Sequence, residues 1–131
     1  MAHVKNKRES SSGRFAYDGL ERVIHERARL SIMTSLAGHP NGLLFSDIKE
    51  LCSLTDGNLC RHLQILQEAH LVEVSKDQRG NRPQTLCRLT DRGRRRFLEY
   101  VSVLESVVSD AVAATEEHPA GTAVRKGLAP A

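Results

Sequence analysis

The chain has 131 residues, a formal charge of +3, three cysteines and no tryptophan, which is room for about one domain around one core. Its polar, small-residue-rich ends leave a compact unit of roughly 95 to 100 residues. Three cysteines without a C-x-x-C pair argue against a disulfide framework and a zinc ribbon. No apolar run approaches the ~20 residues of a membrane helix, and the N-terminal residues lack a secretory apolar stretch, so a cytoplasmic chain is expected.

Residues 1–14, MAHVKNKRESSSGR, are basic and serine-rich and read as a disordered arm. From Leu20 to Leu36, the apolar residues Leu20, Val23, Ile24, Leu30, Met33 and Leu36 recur at helical spacing and predict an amphipathic helix with a break near Arg27. AGHPNG, Ala37 to Gly42, ends it. Leu43 and Leu44 read as a very short strand, and Phe45, Ile48 and Leu51 as one face of a short helix. SLTDG, Ser53 to Gly57, is a tight turn in which Thr55 can cap the next helix, which runs to about Ala69.

Two alternating runs, Leu71 to Ser75 and Thr85 to Thr90, predict strands. Between them KDQRGNRPQ forms a hairpin tip at Gly80, Asn81 and Pro83, flanked by Arg79 and Arg82. Thr90 and Asp91 open a last helix with a seam of Phe97, Tyr100, Val101, Leu104, Val107 and Val108. From Glu116 onward the chain reads as a flexible tail. The fold class expected from this order is mainly α with a small β-hairpin (α+β): a helix-turn-helix followed by a two-stranded wing. Residues 15–115 would hold the domain, with the C-terminal helix at about 91–114 serving dimerisation.

Charge is unevenly spread. Nine Lys or Arg face four Asp or Glu between Arg61 and Arg96, whereas Phe97 to Glu117 carries five acids and no base. The first half suits a polyanion and the second does not. On the helix from Thr55, steps of about 100° per residue put Leu59, Leu63, Leu66 and His70 on a core arc. Gly57, Asn58, Arg61, Gln64 and Glu68 fall opposite, with Cys60 and His62 at the borders. Asn, Arg and Gln make paired hydrogen bonds to purine edges, and a DNA major groove admits one helix.

The run TDGNLCRHLQILQEAHLVEV, Thr55 to Val74, with LTDRGRRRF, Leu89 to Phe97, resembles the winged-helix transcriptional regulators of the ArsR and MarR families. HERARLSIMTSL, His25 to Leu36, resembles the first helices of the ArsR type. The resemblance spans about residues 20–110 and implies a homodimeric winged helix-turn-helix repressor or activator on double-stranded DNA. It implies that Thr55, Asn58, Arg61, His62 and Gln64 read DNA, and that a wing of residues 76–84 makes contacts through Arg79, Asn81 and Arg82, with Lys76 at its base. Two positions depart from the ArsR pattern: Cys60 stands in place of serine, and His70 in place of a helix-closing glycine with left-handed backbone.

Other functions have less support. ELCSL, Glu50 to Leu54, resembles the E-L-C-x-C segment of metal-sensing ArsR proteins, but Leu54 replaces the second cysteine. Cys52, Cys60 and His62 make a poor substitute, because Cys60 and His62 lie about 200° apart on a helix. No metal or cofactor is therefore expected, and buried cysteines are the plain alternative. No Gly-rich phosphate loop, nucleophile elbow or H-E-x-x-H motif suggests an enzyme, and no partner stands out for His25 or His39. The seam from Phe97 to Val108 could pack on the first helix within one subunit, but so long an apolar stripe is more easily buried against a copy of itself, which predicts a homodimer. A rival reading is a winged-helix module that binds another protein. No small-molecule effector is indicated.

Overall fold

A computed structural model of the protein describes residues 13–78, 80 and 82–117. The expectations for the N-terminal arm up to residue 12, for the tail from residue 118, and for Arg79 and Asn81 lie outside the described residues. The elements are α1 (Arg27–Ala37), β1 (Leu43–Leu44), α2 (Phe45–Cys52), α3 (Asp56–Glu68), β2 (Val72–Asp77), β3 (Gln84–Leu89) and α4 (Asp91–Glu117). They form a winged helix in which α2 and α3 make the helix-turn-helix, the β2–β3 hairpin is the wing, and α4 is the long C-terminal helix. The chain divides into two compact units, residues 20–100 and, among the described residues, 13–19 with 101–117.

In the first unit, Ile32, Met33 and Leu36 of α1, Ile48 of α2, and Leu59, Leu63 and Leu66 of α3 are buried together with Leu71, Val72, Cys87 and Leu89. Burial of one such aliphatic side chain stabilises by about 1.5–3 kcal/mol, so this core orients α3. The expected two-stranded wing gains a third strand. β1 pairs antiparallel with β3 through Leu43 opposite Cys87 and Leu44 opposite Leu86, giving the order β1-β3-β2. On the other side of β3, Val72 faces Leu89 and Val74 faces Cys87. A side chain at Gly42 (φ 97°) would meet the Cys87 carbonyl oxygen at 2.8 Å, so β1 reaches the sheet only because this residue has none.

The break expected near Arg27 is where α1 begins, so the helix carries only the second part of the apolar stripe. Residues 22–24 form a turn, and Glu26 caps α1 by accepting a hydrogen bond from the Arg29 backbone N–H at 2.8 Å. Ile24 nevertheless reaches the core, so the apolar stripe is real although the helix carrying it begins late. Of the three apolar residues that mark α2, Ile48 is buried but Leu51 is 61% exposed.

Both helices of the helix-turn-helix end in the same way. Ser53 (φ 54°) and His70 (φ 63°) are left-handed. Ser53 N–H donates to the Glu50 carbonyl and Leu54 N–H to that of Lys49; His70 N–H donates to Gln67 and Leu71 N–H to Leu66. These paired bonds satisfy carbonyls that a helix end leaves unmatched. His70 therefore leaves the helix and is exposed, not on the core arc.

At the start of α4, the Thr90 backbone N–H donates to the Leu71 carbonyl at 3.0 Å. Its hydroxyl donates to the His70 carbonyl at 2.7 Å and accepts from Gly93 N–H at 2.9 Å. A β-carbon at Gly93 would overlap the Leu71 carbonyl. Phe97 and Tyr100, expected in a dimer seam, are instead buried within the chain, and Tyr100 Oη shares a 2.6 Å hydrogen bond with His25 Nδ1. They are removed from the interface set for that reason, and His25 gains the partner that the sequence did not reveal. His39 gains one as well, since its Nδ1 lies 2.8 Å from the Ser35 carbonyl. In the second unit, Tyr17 Oη donates to Asp110 at 2.7 Å, while Val101, Leu104 and Val107 are half-buried and Val108 is exposed.

Candidate nucleic-acid interface

The site is built on α3. Thr55 caps it by accepting from Asn58 N–H at 3.2 Å, and Asp56 in the first turn complements the helix dipole. Lys49 of α2 reaches Asp56 at 2.9 Å, bracing the turn between the two helices. With Leu59, Leu63 and Leu66 facing inward, Thr55, Gly57, Asn58, Arg61, Gln64 and Glu68 form the exposed side. Nothing lies within 4 Å of where a Gly57 side chain would start, so the first turn of α3 presents bare backbone.

Cys60 also lies on the exposed side, which corrects the expectation of a buried thiol there. Cys87 is fully buried and its thiol is pushed up to about 11 by burial. Cys52 is half-buried and also raised, chiefly by burial. Among the described residues, no group of three or more His, Cys, Asp or Glu is placed to hold a metal ion.

His62, counted among the DNA-reading positions, is 8% exposed and points inward. Its Nδ1 lies 3.1 Å from Arg29 Nη1 and 3.8 Å from Glu26 Oε1. It sits under the helix and is unavailable to a base edge. Helical arithmetic had put it at the border of the two faces, and its partner Arg29 lies 33 residues away, so no local pattern signalled the pair.

Beside α3, the wing exposes Lys76 and Arg82. Arg88 is matched by Glu73 directly across the strands. Of the basic run at the start of α4, Arg96 is paired with Glu21 at 3.1 Å and Arg92 Nε donates to the Ala69 carbonyl at 3.3 Å. These two serve the fold as well as the surface charge.

The arrangement of two helices crossing at a short turn, followed by a hairpin beside the second, defines a helix-turn-helix nucleic-acid-binding class. A family model described as a winged helix DNA-binding domain matches residues 28–108, and the chain belongs to that family. An uncharacterized protein of Methanocaldococcus jannaschii is 40% identical over 57 residues, 44% of this chain; the match spans 62% of that relative's length. Among solved structures, a transcriptional regulator homologue of Pyrococcus horikoshii OT3 is 27% identical with a TM-score of 0.65, covering 85% of this chain and 98% of that one. The S. aureus MepR–DNA complex shares the fold at 15% identity and a TM-score of 0.62, covering 94% and 96% of the two chains. PcaV of Streptomyces coelicolor, solved with its natural ligand, shares it at 17% identity and a TM-score of 0.62, covering 99% and 92%. No helix among the described residues is long and apolar enough to cross a membrane.

Proposed function

We propose that the protein is a cytoplasmic, homodimeric transcription regulator that reads double-stranded DNA sequence with α3 in the major groove. The observation that carries this reading is the exposed row Asn58, Arg61 and Gln64, held opposite the buried Leu59, Leu63 and Leu66. All three side-chain types make paired hydrogen bonds to base edges, and Thr55 at the helix start adds a phosphate or base contact in this reading. Lys76 and Arg82 of the wing, together with Arg79 and Asn81, take the neighbouring groove or phosphates. The DNA complex of MepR and the regulator homologue of P. horikoshii support the assignment.

Selection of bound duplexes from a random pool, followed by sequencing, tests it. The expected result is an enriched inverted repeat with half-sites about one turn, ~34 Å, apart. Arg61→Ala should then cost about 1–3 kcal/mol on the selected duplex and relax preference at one base pair. Equal affinity and preference in that variant would remove Arg61 from the reading set.

A second reading, a module that binds another protein, draws on the balance of thirteen basic and thirteen acidic residues over residues 15–115. It predicts no enriched sequence and little retention on a DNA resin. The local excess of base from Arg61 to Arg96 favours the first reading.

A further inference from the structure

The inward side of α3 carries one polar group in an otherwise apolar core, His62. Arg29 holds it from α1. The guanidinium Nε donates to the Val23 carbonyl at 2.6 Å, and Nη1 lies 3.1 Å from His62 Nδ1. Arginine has five N–H donors, no acceptor and a permanent charge. His62 Nδ1 must therefore be the acceptor, which requires a neutral ring with its proton on Nε2. Glu26 completes the cluster, its Oε1 accepting from the Arg29 backbone N–H at 2.8 Å and lying 3.9 Å from Arg29 Nη1.

We propose that Arg29 is a positioning residue for DNA readout, fixing the rotation of α3 about its axis through a hydrogen bond that only a neutral His62 accepts. His62 lies between Arg61 and Leu63 in sequence, so a turn of α3 that moves the imidazole re-aims Arg61 and Gln64 by the same angle. The inference rests on the DNA-reading function proposed above.

Protonation reverses the contact. A charged His62 presents an N–H at Nδ1 to the N–H groups of Arg29, bringing two donors and two cations together at the present 3.1 Å. Glu26 is the nearest acceptor, but 3.8 Å exceeds a hydrogen bond, so the ring must move to reach it. The charged groups acting on His62 are Glu26 and Arg29 at the start of α1 and Arg61 on its own helix. Burial lowers its pKa from the usual 6.5; Glu26 opposes this, while Arg29 and Arg61 add to it. Because the folded state favours the neutral ring, the stability this contact contributes is complete above the ordinary value and is lost as pH falls below it through the lowered one.

The test uses the full chain and the duplex enriched from the random pool. Its readout is the ratio of affinity for that duplex to affinity for a scrambled one, at pH about 7.5 and about 5.5, spanning the imidazole range. Unfolding would lower both affinities together, so the ratio isolates the aim of α3. The wild-type ratio should fall severalfold on acidification, short of the about tenfold that an imidazole at its ordinary value would give one unit below it. His62→Gln, uncharged at both pH values and able to accept from Arg29, should change less than about twofold while keeping every other histidine. Arg29→Lys, which keeps the charge but not the fork, should lower the ratio already at the higher pH. Identical pH profiles for wild type and His62→Gln, or an unchanged ratio in Arg29→Lys, would overturn the positioning role alone. Failure to enrich any duplex would overturn the DNA-reading function and this inference with it.

Discussion

His70 shows how one backbone angle is set against side-chain chemistry. Its φ of 63° is required for the bonds that close α3, in which its own N–H and that of Leu71 reach back to Gln67 and Leu66. A left-handed non-glycine residue costs about 1–2 kcal/mol, whereas glycine gives back part of that through its greater freedom in the unfolded chain, about 0.5–1 kcal/mol. His70 is exposed, so little packing is lost on truncation. His70→Gly should therefore stabilise by several tenths to about 1 kcal/mol, a melting-temperature rise of a few degrees for a domain of this size. A lower melting temperature would mean that the ring makes a contact outweighing the backbone term. The sequence permits this argument because the resemblance to ArsR-type regulators implies a helix-closing glycine at this position. It gives no such warning for Ser53, whose φ of 54° serves the same purpose at the end of α2.

At the scale of elements, order and type were readable where a periodic stripe met a chemical punctuation mark. Thr55 before Leu59, and Thr90 with Asp91 before Phe97, mark real helix starts in α3 and α4. The break near Arg27 was legible, and α1 starts there; spacing hid only that Leu20, Val23 and Ile24 before it lie in turning backbone, and that Glu26 caps the helix through a bond periodicity does not encode. A helical wheel likewise tells which residues share a face but not what covers it, and for this reason Phe97 and Tyr100 were assigned to a partner and not to their own core. Gly93 is the element-level feature that pattern reading passed over. It lets the first turn of α4 lie against the Leu71 carbonyl, which also accepts from Thr90. The atom in the way is backbone, so Gly93→Ala has no flexible neighbour to push aside. Overpacking of this kind costs about 1–3 kcal/mol, plus the Thr90 bonds if α4 lifts away. Urea denaturation should show a lower midpoint with an unchanged slope, and a midpoint equal to wild type would show that the start of α4 is looser than its hydrogen bonds imply.

For the whole molecule, the two chemical halves of the chain make opposite demands on the solvent. The proposed DNA contacts draw on the basic stretch from Arg61 to Arg96, and their affinity should fall steeply with salt as phosphate counterions are no longer released at a gain. The proposed dimer draws on the later part of α4, where Val108 and Val112 are 59% and 53% exposed and Val101, Leu104 and Val107 half-buried. Over residues 97–117 that helix carries five acids and no base, so a second copy of it brings like charge to the interface. Apolar contact must overcome that repulsion, and salt screens it within about 10 Å at ~0.1 M. Dimerisation should therefore strengthen with salt over the range in which DNA binding weakens. Light scattering at micromolar concentration should give twice the chain mass, with dissociation favoured at low ionic strength. Val108→Glu adds one more acid at the exposed centre of the patch and should shift the mass toward that of one chain without lowering the melting temperature of the monomer. A wild-type monomer at every salt concentration would rule out the dimer, and a Val108→Glu protein that stays dimeric would move the interface off this face of α4.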